Sequence, residues 1–253
     1  MIAGASSGIG EAFARRLGAD GMDLILVARR GELLQALGNE IEKKHKVRVE
    51  TLVADLAAKE DVARLEEKVA QTPRLEILVN CAAHCRMGAF SELDPDLIEY
   101  QVRLNVMAPL RLTRAALPRM IERNSGAIIN VSSIGGLVAA PHGATYCGSK
   151  AFLIRFTEAV AGEVYGTRVQ VQALCPGLTR TDFPGIAGMN TADLPDSAWM
   201  QPEAVVDASM RALKRDTVLC IPGFTNRVLP KVMNSLPRGM VQWLGRRASG
   251  SAS

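Results

Sequence analysis

Apolar runs of strand length alternate with segments of helical period along most of the chain. The runs are DLILVAR at 23–29, VRVETLV at 47–53, LEILVN at 75–80, GAIINVSS at 126–133, RVQVQAL at 168–174 and TVLCIP at 217–222. Between them, GELLQALGNEIEKKH and KEDVARLEEKVAQ repeat apolar residues at the helical period and carry charged outer faces. Alternation of this kind predicts βαβ units and a parallel sheet. With no internal repeat, low-complexity linker or shift of composition, the pattern predicts one doubly wound α/β domain over residues 1–253. The first strand is the exception. Only Met1 and Ile2 precede a glycine-rich turn, where a central strand has about five residues, so either this strand is unusually short or the start is truncated.

Composition narrows the classes of function. At 253 residues, 48% of them hydrophobic, the chain has the make-up of an ordinary globular protein with a sizeable core. The net charge of +4 permits an anionic partner, but the basic residues are interleaved with acids, which reads as a solvated surface and no nucleic-acid footprint. No apolar run reaches the roughly 18 residues of a membrane span, and no basic-then-apolar leader opens the chain, so a cytoplasmic location is expected. The five cysteines form no CxxC pair. That spacing predicts reduced, buried thiols and neither a zinc site nor a disulfide framework. His84, beside Cys85, has no second ligand pair after it and reads as a loop or pocket histidine, with no metal. His142 precedes Tyr146 by four residues and either lines a pocket or belongs to a loop.

Chemistry enters at the opening segment, MIAGASSGIG. Gly4, Gly8 and Gly10 follow a short apolar stretch and lead into the helical EAFARRLGAD. At such a turn the missing side chains let the backbone approach a pyrophosphate, and the helix N-terminus offers free N–H groups and a favourable dipole. The spacing is GxxxGxG and not the GxGxxG of the usual dinucleotide fingerprint. An NAD-preferring unit carries an acid about 20 residues beyond the glycines for the ribose 2′-hydroxyl. Here the second strand runs into Ala28, Arg29 and Arg30. Guanidinium groups at that point pair with a 2′-phosphate, so NADP(H) is expected, with Arg29 the principal contact and Arg30 the lesser.

The stretch YCGSK sets Tyr146 and Lys150 four residues apart in a segment of helical period, on one helix face. An ammonium that close favours the tyrosinate and is expected to lower the phenol pKa from its usual value of about 10. Upstream, Asp94 and Pro95 read as the N-cap and first position of a helix that continues past Asn105 to Pro109. Pro109 has no N–H for the Asn105 carbonyl, so a kink is expected there, with a carbonyl able to hold a water.

AGASSGIG, ADL with Asp55, ILVNCAA, RLNV, INVSS, YCGSK and CPGLTRT stand in the order and spacing of the short-chain dehydrogenase/reductase family, which the chain resembles from residue 1 to about 222. From LDPDLIEYQVRLNV through TVLCIPGFTNRVLPKVMNSLPR the chain looks most like a broad bacterial subgroup of NADP-preferring reductases with a basic C-terminal helix. The resemblance implies a Rossmann fold with a C-terminal helical extension. It also implies that Tyr146 is the general acid for carbonyl reduction and the base in the reverse direction, with Lys150 holding the nicotinamide ribose and lowering the Tyr146 pKa. Ser133 would bind the substrate carbonyl, and Asn105 would anchor a water of the proton relay. On the cofactor side the resemblance points to Gly4, Ser6, Ser7, Gly8, Ile9 and Gly10 in the first turn, and to Arg29 and Arg30 after the second strand. Asp55 and Leu56 would lie near the adenine, Asn80 and Ala82 on the fourth strand and its turn, and Pro176, Gly177, Thr179 and Thr181 beside the nicotinamide.

Two departures fall in the cofactor half. The first motif usually opens on Thr, here Ala3, which removes a hydroxyl that supports the fourth strand. The usual NNAG is NCAA, Asn80 to Ala83, which loses an amide and puts a methyl where the backbone nears the cofactor. Residues 178–200 are expected to form a substrate loop, and Phe183, Ile186, Met189, Leu194 and Trp199 in it point to hydrophobic ketones or aldehydes. The apolar segment 226–247 is expected to be helical and to pack on the core, cover the site or join subunits. The family further implies a homodimer or homotetramer. Two alternatives stand beside the NADP(H)-dependent carbonyl reductase: a 3-ketoacyl reductase acting on a carrier-linked substrate, and a non-catalytic NADP-binding regulatory module.

Overall fold

A computed structural model describes residues 1–189, 191 and 194–235. Its centre is a seven-stranded parallel sheet. In chain order the elements of the first half are β1 (Ile2–Ala3), α1 (Gly8–Ala19), β2 (Leu24–Ala28), α2 (Gly31–His45), β3 (Val49–Val53), α3 (Lys59–Gln71) and β4 (Ile77–Asn80). Then come α4 (Pro95–Val102), α5 (Ala108–Glu122), β5 (Gly126–Val131), α6 (Ala144–Glu163) and β6 (Val169–Leu174). The last are α7 (Phe183–Ile186), α8 (Pro202–Leu213), β7 (Leu219–Cys220) and α9 (Phe224–Ser235). Every strand anticipated from the apolar runs is present, and α2 and α3 coincide with the two periodic segments.

The strands lie in the order β3-β2-β1-β4-β5-β6-β7. Inner strands such as ILVN and GAIINV are apolar on both faces because helices cover both. One core joins α1, α2 and α8 to the sheet, through Phe13, Leu17, Leu34, Ile41 and Val205. The other joins α3, α5 and α6 to the opposite face, through Leu65, Leu112, Met120 and Val160. Strand β1 is short, two residues paired with β2 on one side and β4 on the other. The winding reverses between β1 and β4. An open α/β sheet binds its ligand at the carboxyl ends of the strands beside such a reversal.

The helix foreseen from Asp94 starts as expected, with the Asp94 carboxylate accepting from the Asp96 N–H at 2.9 Å and Pro95 in the first turn. It does not run on as a kinked α-helix. Between α4 and α5, residues Arg103–Met107 form a π-helical turn in which the Ala108 N–H reaches back to the Arg103 carbonyl. A wide turn accommodates a proline that offers no N–H to the residue four back, and π turns of one coil recur at functional sites.

Helix α9 covers the start of the expected C-terminal segment, and residues 236–247 of that segment lie outside the described residues. So do 190, 192 and 193 of the substrate loop. The two ends of that loop are tied together, because Thr179 bridges to Met200 and the Arg180 N–H donates to the Met200 carbonyl at 2.9 Å. Among the described residues no helix is long and apolar enough to cross a membrane.

Candidate active site

A cavity of about 590 Å³ opens at the carboxyl ends of β1, β4, β5 and β6. Gly4, Ser6, Ser7, Gly8 and Ile9 line one end, with Arg29, Arg30, Asp55, Leu56 and Ala82. Ser133, Tyr146, Lys150, Pro176, Gly177 and Thr179 line the other, and Thr181 lies against Gly8. Asn80, Gly10 and Asn105 are buried and do not line the cavity. The sequence therefore placed nearly all its candidates around one space.

The glycine spacing has a steric reason. A Cβ on Gly10 would lie 2.0 Å from the Gly4 carbonyl oxygen, so α1 can cross the turn after β1 only without a side chain. Gly4 adopts φ +94°, and a Cβ there would meet the Ala82 backbone nitrogen at 2.5 Å. The turn after β1 is thus pressed against the turn after β4, and Gly8 and Ile9 at the start of α1 line the cavity. Ser7, the N-cap of α1, makes no side-chain capping bond, and its hydroxyl instead accepts from Arg30 Nη2 at 2.7 Å.

The two arginines go separate ways. Arg30 leans over the glycine turn and donates to Ser6 Oγ at 3.0 Å as well as to Ser7. Arg29 turns toward α4, where its Nη1 donates to the Tyr100 hydroxyl at 2.6 Å. The sequence ranked Arg29 ahead of Arg30, whereas Arg30 is the one gathered with two hydroxyls at a helix N-terminus, the set that suits a phosphate. Asp55 accepts from the Ala57 N–H at 2.9 Å and from Tyr100 at 3.2 Å.

Asn80 is buried and serves structure here. Its Nδ2 donates to Asn130 Oδ1 at 2.8 Å, and Asn130 continues to Thr157 at 3.0 Å. Asn80 Oδ1 has no partner. Ala3 pairs with Asn80 across the sheet, and its methyl offers no donor where the family pattern has a hydroxyl.

At the other end, Ser133 caps a short turn by accepting from the Gly135 N–H at 3.1 Å, and its hydroxyl lies on the Tyr146 side of that turn, close enough to favour the phenolate. Asn105 is locked in the π turn. Its Oδ1 accepts from the His84 N–H and its Nδ2 donates to the His84 carbonyl, both at 2.8 Å, and Nδ2 also reaches Ser149 Oγ at 3.2 Å. Ser149 in turn donates to the Tyr146 carbonyl at 2.7 Å. Ser149 was not singled out from the sequence, although it lies inside YCGSK. Phe183 of α7 closes over the phenol with ring centroids 5.8 Å apart.

The expected pKa relation between Tyr146 and Lys150 is corrected. Burial raises the Tyr146 pKa above its ordinary value, only partly opposed by the Ser133 hydrogen bond. Lys150 does not offset this because its Nζ is turned to the Val131 carbonyl at 2.8 Å and stands 5.8 Å from the centre of the Tyr146 ring. The same burial lowers the Lys150 pKa to about 8. His142 is a loop residue at φ +62°, exposed, whose carbonyl accepts from the Gly88 N–H at 2.8 Å. His84 lines the cavity edge-on to the Tyr100 ring. Three cysteines are buried and two, Cys81 and Cys147, are partly exposed at the cavity wall.

The short chain dehydrogenase family model matches residues 1–187. A short-chain dehydrogenase from Sphingobium yanoikuyae in complex with NADPH superposes with a TM-score of 0.84 at 32% identity, covering 94% of this chain and 95% of that one. A bulky-bulky ketone specific alcohol dehydrogenase from Comamonas testosteroni gives a TM-score of 0.80 at 28% identity, with 94% of each chain covered. The very-long-chain 3-oxoacyl-CoA reductase of Anas platyrhynchos is 30% identical over 248 residues, which is 93% of this chain and 78% of that protein. With its glycine turn, NCAA turn, serine and YCGSK helix arranged around one cavity, this chain belongs to the short-chain dehydrogenase family.

Proposed function

We propose that the protein is an NADP(H)-dependent oxidoreductase that reduces a hydrophobic ketone or aldehyde, or oxidises the matching alcohol. The observation that carries this reading is the convergence of Ser133 and Tyr146 on one face of the cavity whose other end gathers Arg30, Ser6 and Ser7. The residues present fit the cofactor. Gly4, Gly8 and Gly10 leave the backbone of the turn after β1 open where a pyrophosphate approaches, β2 runs directly into two arginines in place of an acid, and two hydroxyls and a guanidinium stand ready for a 2′-phosphate. The NADPH complex of the Sphingobium relative supports the same cofactor.

When bound, NADPH supplies the hydride, and the protein supplies orientation and a proton. Ser133 holds the carbonyl oxygen of the substrate, and the Tyr146 hydroxyl donates its proton to that oxygen. A phenol whose pKa is raised by burial remains protonated through the neutral range, which is the form an acid in reduction requires. Asn105, held by the backbone of His84 and linked through Ser149 to the Tyr146 segment, keeps the relay side of the phenol in register. Met87, Ile134, Val138, Phe183, Ile186 and Met189 line the substrate end, where among the described residues no charged side chain other than Lys150 reaches the cavity. Such walls favour bulky neutral carbonyls, in keeping with the ketone dehydrogenase of Comamonas.

A 3-oxoacyl thioester is the second reading, favoured by the resemblance to the reductase of Anas platyrhynchos. Assembly of copies into a homodimer or homotetramer belongs to the proposal, as does a cytoplasmic setting.

The test is NADPH consumption against bulky ketones, aldehydes and 3-oxoacyl thioesters, run beside Tyr146→Phe, which keeps the ring and deletes the proton. Turnover should fall by about a hundredfold or more in the variant, the scale of a lost general acid. Equal turnover by both proteins would refute the role of Tyr146. Faster turnover of small polar carbonyls would refute the hydrophobic substrate, and activity confined to thioesters would favour the second reading. NADPH binding without turnover of any carbonyl would leave the regulatory module.

A further inference from the structure

Tyr100, near the C-terminal end of α4, escaped the sequence reading, yet three segments meet on its phenol. Its hydroxyl accepts from Arg29 Nη1 at 2.6 Å and donates to Asp55 Oδ1 at 3.2 Å. The guanidinium carbon of Arg29 lies 5.7 Å from the ring centroid. His84 packs against the same ring edge-on, 5.6 Å away at 87°. The phenol therefore stands between a cation and a carboxylate, accepting from one and donating to the other. An arginine free to pair directly with Asp55 would be drawn onto the carboxylate and lose the open face of its plane.

Position distinguishes Tyr100 from the residues around it. Arg29, Arg30 and Asp55 line the main cavity, but Tyr100 faces a smaller depression behind it with Asp96, Glu99 and Arg103. It does not line the main cavity itself and touches three residues that do, Arg29, Asp55 and His84, of which Arg29 holds its hydroxyl most closely, at 2.6 Å. Burial raises the Tyr100 pKa, so the hydroxyl keeps its proton for Asp55 and its lone pair for Arg29. Arg30, one residue on, is already committed to Ser6 and Ser7.

We propose that Tyr100 is a positioning residue for the adenosine end of the cofactor, holding Arg29 as a flat cationic wall for the adenine ring and leaving the 2′-phosphate to Arg30 with Ser6 and Ser7. The proposal rests on the NADP(H) reading. A guanidinium is planar, weakly hydrated and suited to stacking on an aromatic face. Holding it in place beforehand removes the ordering of a long side chain from the cost of binding.

The two halves of the nucleotide separate the roles without any turnover. Dissociation constants for 5′-AMP and 2′,5′-ADP are to be measured for the wild type, Tyr100→Phe, Arg29→Ala, Arg30→Ala and the Tyr100→Phe/Arg29→Ala double variant. Tyr100→Phe should weaken both ligands alike, by about fivefold, the scale of ordering one long side chain. It should have no further effect once Arg29 is alanine, because the phenol acts through that residue. Arg30→Ala should weaken 2′,5′-ADP by about tenfold and leave 5′-AMP nearly unchanged. Unchanged affinities in Tyr100→Phe, or a loss that persists in the Arg29→Ala background, would overturn the positioning role. A loss confined to 2′,5′-ADP in Tyr100→Phe would move the phosphate to Arg29 and overturn the division between the arginines. Wild-type protein that binds both ligands equally would remove the NADP(H) reading and the Arg30 half with it, while the effect of Tyr100→Phe on 5′-AMP would still decide the rest.

Discussion

Lys150 is a buried ammonium that donates to the Val131 carbonyl at 2.8 Å. Taking that charge out of water lowers its pKa from 10.5 to about 8, although nearby Cys81, Cys175 and Cys85 act in the opposite direction. Below pH 8 folded and unfolded chains both carry the proton, and the folded state bears the cost of burying it. Between about 8 and 10.5 the unfolded chain binds more protons than the folded one. Stability contributed by this group therefore rises with pH through that window and levels off above it. The thiols of Cys81, Cys85 and Cys175, with pKa values raised to about 12 by desolvation, act with the contrary sign. The informative comparison is thus with Lys150→Met, which keeps the cysteines and the length of the side chain. In denaturant titrations without nucleotide, wild-type stability relative to this variant should climb between pH 8 and 10, by at most about 3 kcal/mol. A flat or falling difference would mean that Lys150 is not desolvated as its surroundings imply. The sequence disclosed the pairing of Tyr146 with Lys150 but assigned the wrong sign to the phenol. Spacing along a helix fixes which side chains are neighbours, whereas burial depends on α7, β5 and the turns that close over them.

The π turn between α4 and α5 is the element in which sequence and structure diverge most usefully. Asp94, Pro95 and Pro109 announced where the helix starts and where its bonding must fail, but a missing N–H can be absorbed by a kink or by a wider turn, and local chemistry alone does not choose. Tertiary bonds decide here. The wide turn lets the Asn105 amide meet both backbone groups of His84 and the Ser149 hydroxyl. Helices α2 and α3 raised no such ambiguity, since their apolar period, unbroken by proline, matched their observed bounds. Pro109→Ala restores an N–H for the Asn105 carbonyl and allows a regular helix to compete with the π turn. The melting temperature should hold or rise, because helix bonding improves, while turnover with the best carbonyl should fall by about tenfold, less than the loss of the acid itself. Unchanged turnover would show that the wide turn is only a packing solution.

For the whole molecule, the alternation of strands and helices was enough to foresee a parallel sheet, and the glycine turn enough to foresee its binding edge, because both follow from local chemistry. The place of Tyr100 was not foreseeable in this way, since it depends on α4 crossing behind the end of β2, 71 residues apart in sequence. Subunit contacts pose the same difficulty, but surface chemistry now narrows them. Helix α6 buries Leu153, Ile154 and Val160 toward the sheet, while Phe152 on its outer side is 42% exposed and lies stacked on Phe156 at 6.0 Å. Met107 and Val102, in and before the neighbouring π turn, are 45% and 38% exposed. Large apolar side chains standing outward on adjoining helices are the material of an isologous interface, in which the same patch meets its own copy. If the proposed homo-oligomer forms through this patch, light scattering of the wild type should give a mass of at least two chains. Phe152→Glu, which brings two carboxylates together across a two-fold axis, should weaken the assembly by about a hundredfold, on the scale of burying an unpaired charge. An oligomer that survives this substitution unchanged would place the contact elsewhere on the surface, and a monomeric wild type would exclude assembly through any face.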